Sequence, residues 1–141
     1  MNAEIETLMS AVLSLSRDAK RDKQLAKLIR ELTPAEQLPL IDRLLEEKCQ
    51  SSLFLLRSAA DHKICEIMLF KHLPRADASS IQDLLRLGVE ILGERKLGEL
   101  VIKTSIESPR VWEYAAYWLP SLLSKEMWEK LQARYRNSDN P

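Results

Sequence analysis

Residues 108–131 read SPRVWEYAAYWLPSLLSKEMWEKL, and the spacing of the apolar positions in this stretch decides the fold class. At about 100° per residue, Val111, Ala115, Trp118, Leu119 and Leu122 fall on one face of a helix, with Trp112 at its margin. Glu113 and Tyr117 lie opposite, and Tyr114 stands at the other margin. Met127, Trp128, Leu131 and Tyr135 make a second such face beyond Ser124. Ser108-Pro109 offers a cap followed by proline at the first helical position, and Ser124 offers a cap to the second helix. Six of the eight aromatic residues of the chain stand in this stretch or just beyond it. The pattern places Trp118 and Trp128 in a core, where large rings close the end of a stack of helices. Tyr117 is the ring that core packing does not explain, which makes it a candidate partner-binding residue.

The same period extends upstream. Ile5, Leu8, Met9, Val12 and Leu13 form one stripe, Leu25, Leu28, Ile29 and Leu32 a second, and Ile41, Leu44 and Leu45 a third. Thr33-Pro34-Ala35-Glu36 is a capping box with proline where no amide bond is lost. Asp77, Ser79 or Ser80 can cap a helix through Ile81, Leu84 and Leu85, which Gly93 would end. The only glycines are Gly88, Gly93 and Gly98. A sheet protein of 141 residues needs many more turn glycines, and alternating strand patterns are absent. The expectation is all-α, with seven to nine helices of roughly 10 to 15 residues on short connections.

Short helices on tight turns raise the possibility of a repeat. Placed over ESPRVWEYAAYWLP from Glu107, the segment ADHKICEIMLFKHL from Ala60 keeps register at an offset of 47 residues. Asp61 meets Ser108, Lys63 meets Arg110, Ile64 meets Val111, Glu66 meets Glu113 and Phe70 meets Tyr117. Across the next turn Ile81 falls on Trp128 and Leu84 on Leu131. Upstream the offset shortens to 41, with Leu32 and Leu40 over Leu73 and Ile81. SSLFLLRSAA (51–60) and KLGELVIKTSI (96–106) provide a third helix in two of the units. The dimensions, and the run of Ser108, Pro109, Arg110, Val111, Ala115 and Ala116, resemble the HEAT/armadillo class of α-helical repeats. Asp61, Lys63 and Ile64 carry the same pattern more faintly, with His62 where that family often has proline. The resemblance covers roughly residues 20–136. It implies short antiparallel helices stacked as a small superhelix. An irregular helical bundle is the alternative architecture. Residues 1–136 are expected to form a single domain, and 137–141 a flexible tail.

Basic and acidic residues number 21 each, so the formal charge is zero. Binding to nucleic acid draws most of its affinity from neutralised phosphates and usually leaves a basic excess. Any such role must rest on a local patch. No apolar run approaches the roughly 18 residues that span a bilayer. Glu4 and Glu6 precede the first apolar positions, unlike the basic start of a signal peptide. With only Cys49 and Cys65, a disulfide framework is excluded, and the expectation is a cytoplasmic protein with two reduced, largely buried thiols.

His62, Cys65 and Glu66 stand at i, i+3, i+4 and can share a helix face with Cys49 nearby. A zinc site requires about four ligands, and no second close pair exists. No phosphate loop, nucleophile elbow or paired-histidine motif occurs. Carboxylates such as Glu46, Glu47, Glu94 and Glu129 sit at solvent-facing positions. Neither catalysis nor a cofactor or metal is expected. The strongest charge feature is RDAKRDKQLAKLIR, residues 17–30, holding Arg17, Lys20, Arg21, Lys23, Lys27 and Arg30. Lys20, Lys23, Lys27 and Arg30 form a basic stripe opposite Leu25, Leu28, Ile29 and Leu32. The sequence therefore points to a non-catalytic protein-binding or adaptor module, its candidate contact residues being Lys20, Lys23, Lys27, Arg30 and Tyr117. The alternative is a nucleic-acid-associated helical protein using that stripe.

Overall fold

The computed structural model describes residues 3–13, 18–47 and 51–139. Among these residues the fold is all-α, without strands. Nine helices follow one another: α1 Ala3–Val12, α2 Ala19–Arg30, α3 Pro34–Glu46, α4 Ser52–Ala59, α5 His62–His72, α6 Ser80–Leu92, α7 Glu94–Glu107, α8 Pro109–Leu122 and α9 Lys125–Asp139. A single 3-10 turn, Leu73–Arg75, follows α5. No helix among the described residues is long and apolar enough to cross a membrane. Arg17 and Cys49 lie outside the described residues.

Local chemistry starts these helices. The Thr33 hydroxyl accepts the Glu36 backbone N–H at 3.3 Å, and Glu36 Oε1 accepts the Thr33 N–H at 3.1 Å, closing the capping box. Asp18 accepts the N–H groups of Lys20 and Arg21, and Asp61 accepts that of Lys63. Asp77, rather than a serine, accepts from the backbone of Ser79 and Ser80 at the start of α6. Ser108 makes no side-chain cap bond, so α8 begins on its proline alone. Gly93 is the whole joint between α6 and α7. Its φ of 88° and ψ of 162° belong to a region essentially restricted to glycine.

The chain divides into two compact units, Met1–Met68 and Leu69–Pro141, the boundary falling within α5. In the first, α2 packs on α1 and α4, and α3 packs on α4. Ile5, Met9 and Val12 meet Leu25 and Ile29 in a core continued by Ile41, Leu44, Leu55 and Leu56, all nearly inaccessible to water. Burying each such side chain contributes about 1.5 to 3 kcal/mol. Buried Gln37 splices three segments. Its amide donates to the Ile29 carbonyl at 3.0 Å, and its carbonyl accepts the Asp61 N–H at 3.0 Å, which satisfies groups left over at two helix ends.

In the second unit α7 is central, packed against α6, α8 and α9. Leu97, Leu100, Val101 and Ile102 are buried on it, as are Thr104 and Ser105, whose hydroxyls donate back to Leu100 and Val101 carbonyls. Two glycines allow the close approach. A methyl group at Gly88 would meet Leu97 Cδ1 at 2.5 Å and Leu69 Cδ1 at 3.3 Å, and one at Gly98 would meet Leu131 Cδ1 at 2.9 Å.

The aromatic corner departs from expectation. Val111, Ala115 and Leu119 are buried, but Trp118 and Trp128 are only half-buried. An indole at the edge of the apolar stripe is too large for the helices beside it to cover. Instead Trp112 stacks on Trp128 at 5.7 Å between centroids and on Tyr135 at 3.9 Å, a three-ring sandwich across α8 and α9.

Candidate functional site

Two surfaces carry the residues singled out from the sequence. They belong to different units, and each is described separately.

The first is the outer face of α8. Arg110, Tyr114, Tyr117 and Ser121 recur at i, i+4, i+7 and i+11, within one narrow arc opposite buried Val111, Ala115 and Leu119. Tyr117 is 75% exposed, the largest exposure among the large apolar side chains. The ring of half-buried Trp118 meets it edge to face, with centroids 4.8 Å apart at 84°. That is a favourable quadrupole geometry which holds an exposed ring in one orientation. One turn earlier, Arg110 places its guanidinium 5.9 Å over the Tyr114 ring and donates to the Pro74 carbonyl. Tyr114, Tyr117 and Trp118 therefore form an orientated aromatic ridge with an arginine at one end. The spacing identified Tyr117. Trp118 belongs beside it rather than in the core.

The second surface is the outer face of α2. Lys20, Lys23, Lys27 and Arg30 are all exposed, opposite buried Leu25 and Ile29. Arg30 is not a free cation like its neighbours, since it donates to the Ser58 carbonyl at 2.9 Å and ties α2 to the end of α4. Lys20, Lys23 and Lys27 hold no ion pair among the described residues. The remaining basic residue of the helix, Arg21, turns inward. It donates to the Ala11 carbonyl and to Asp22, a fully buried carboxylate that also accepts from Ser51 Oγ at 2.7 Å.

A third feature was not legible in the sequence. A shallow groove of about 320 Å³ lies between α7 and α9, with Gly98, Met127 and Leu131 along it. Its cations are paired: Arg95 and Arg134 both approach Glu99 Oε1, at 3.6 and 3.7 Å, and Lys130 meets Glu126 at 3.1 Å. Glu94, read as a solvated carboxylate, instead accepts the Ser124 backbone N–H at 2.6 Å and orients the turn before α9. Ser124 does cap α9, accepting the Met127 N–H at 3.3 Å.

His62, Cys65 and Glu66 do not converge, because Cys65 is buried while His62 and Glu66 are exposed. Burial, reinforced by the Asp61 carboxylate, pushes the Cys65 thiol up to about 11, which leaves it protonated and unreactive at neutral pH. Among the described residues no three His, Cys, Asp or Glu side chains are grouped to hold a metal ion. Comparison of the chain with protein families, with curated proteins and with solved structures returned no match.

Proposed function

We propose that the chain is a non-catalytic protein-binding module, and that it grips its partner with the outer face of α8. The observation that carries this reading is the aromatic ridge, with Tyr117 held 75% exposed against the edge of Trp118. Exposing a large ring fixed in one orientation sacrifices apolar burial, and a binding surface recovers it. Tyrosine, tryptophan and arginine are the residue types that dominate interface energies, because each combines apolar area with a polar tip. The architecture is proposed to be a small HEAT-like stack. The starts of α5 and α8, 47 residues apart as in the sequence offset, support that arrangement.

The test is quantitative co-purification from source cells, comparing the chain with Tyr117→Ala. Tyr117 is exposed and makes its ring contact with Trp118 at the surface, so its removal leaves the fold intact while deleting the anchor. The reading expects a protein retained by the unaltered chain, surviving about 0.5 M salt because apolar contacts hold it, and reduced at least about tenfold by the substitution. Identical retained sets would overturn it.

A further inference from the structure

We infer that the lysine row on α2 is a docking surface for an acidic protein segment, with carboxylates spaced to match Lys20, Lys23 and Lys27. The inference rests on the reading of the chain as a protein-binding module, but on a different surface, and it names the partner's chemistry. Several other surface cations have counterions or backbone acceptors: Arg86 has Asp83, Arg95 and Arg134 share Glu99, and Arg30 has the Ser58 carbonyl. Lys20, Lys23 and Lys27 do not, although carboxylates stand close by. Two of those carboxylates are committed elsewhere. Asp18 accepts the backbone N–H groups that start α2, and Glu4 accepts the Gln24 side chain at 2.8 Å. Three ammonium groups at i, i+3 and i+7 thus stand in a row about 10 Å long with no ion-pair partner among the described residues.

The boundary of the row selects among polyanions. Exposed Glu31, at nearly the same angular position as the lysines, closes the C-terminal end. A nucleic-acid backbone continues past that end and would run its phosphates over this acid. With Arg30 engaged, three contacts are available, which corresponds to a log–log salt slope of about −2.7 and is too few for appreciable affinity at physiological salt. A membrane surface is disfavoured differently. A helix that lies on lipid presents its apolar face, whereas the apolar face of α2 is buried under α1 and α4. A short acidic segment can stop before Glu31.

The experiment uses fluorescence anisotropy at about 0.05 M salt, where surface charge is least screened. The probes are a labelled alanine-rich helical peptide of about 15 residues with glutamates at i, i+3 and i+7, its lysine counterpart, a duplex DNA of equal length and phosphatidylserine vesicles. The unaltered chain is expected to bind the glutamate peptide in preference to the others. The triple variant K20E/K23E/K27E, whose changes are all exposed, should lose it by about threefold to a hundredfold, the product of three surface ion pairs. That variant should instead bind the lysine peptide. No binding of the glutamate peptide, equal binding by the variant, or stronger binding of duplex or vesicles would each overturn the inference. Because Tyr117→Ala leaves the row intact, failure of the unaltered chain to bind the glutamate peptide, with the ridge result upheld, refutes the acidic partner alone. The converse result refutes the ridge alone.

Discussion

Gly88 and Gly98 sit inside helices, where alanine is ordinarily the better residue by about 1 kcal/mol. The structure predicts opposite outcomes for the two substitutions. At Gly88 the new methyl would stand 2.5 Å from Leu97 Cδ1 and 3.3 Å from Leu69 Cδ1, and both leucines are fully buried. Neither side chain can withdraw without displacing others, and overpacking of this kind costs about 1 to 3 kcal/mol. Set against the helix gain, Gly88→Ala should lose up to about 2 kcal/mol. At Gly98 only Leu131 Cδ1 is too close, at 2.9 Å, and both residues border the groove between α7 and α9. Leu131 can swing into that space, so Gly98→Ala should be neutral or stabilising by up to about 1 kcal/mol. All three tryptophans lie in the second unit, so urea unfolding followed by their emission reports on the unit concerned. Leu97→Val introduced with Gly88→Ala should recover part of the loss, since the two sites share one contact. Gly88→Ala proving as stabilising as Gly98→Ala would refute this account of the packing around α7.

Gly93→Ala should destabilise by about 1 to 3 kcal/mol although nothing lies within 4 Å of the added methyl, because the cost is in the backbone conformation; an unchanged urea midpoint would contradict it. The Thr33 backbone N–H and then its hydroxyl hold the Glu36 carboxyl below its usual value of 4.5. A depressed carboxylate stabilises above its unfolded value, and that contribution is lost as pH falls through the folded one. The deficit of Glu36→Gln relative to the unaltered chain, followed by circular dichroism, should therefore be larger at about pH 7 than at about pH 3, and a deficit independent of pH would break the argument. Cys65 should resist iodoacetamide at about pH 8 in the folded chain and react once unfolded, as mapped by mass spectrometry. Rapid labelling of the folded protein would show the thiol to be accessible.

Legibility followed locality. Thr33 with Glu36, Asp77 and Ser124 were readable as helix starts because a cap bonds groups within three residues of itself. The buried members of each stripe, such as Ile29, Ile41 and Leu85, were readable for the same reason, since one turn of helix sets the face. What failed to show in the sequence depends on neighbours. Whether an indole on the apolar stripe, such as Trp118 or Trp128, is covered depends on which helices flank it. Arg30 looked like a free member of the basic stripe until α4 brought the Ser58 carbonyl to it. Gln37 carries no motif that announces a buried splice between α2 and α5. Residues 96–106 read as an optional third helix, yet α7 is the element around which α6, α8 and α9 assemble. The three glycines of the chain, confined to α6, α7 and the joint between them, were the signal that close packing occurs here.

The central claim is that the α8 ridge touches another protein, and site-specific photocrosslinking tests it most directly. A benzophenone amino acid replaces Tyr117 in one variant and exposed Glu129 of α9 in another, and both are irradiated in source-cell extract. Both positions are accessible to solvent, so random collision labels them alike. The account predicts a discrete crosslinked protein from position 117, abolished by excess unlabelled chain, and none from position 129. The same diffuse labelling from both positions would show the ridge to be an ordinary exposed surface and would contradict the claim.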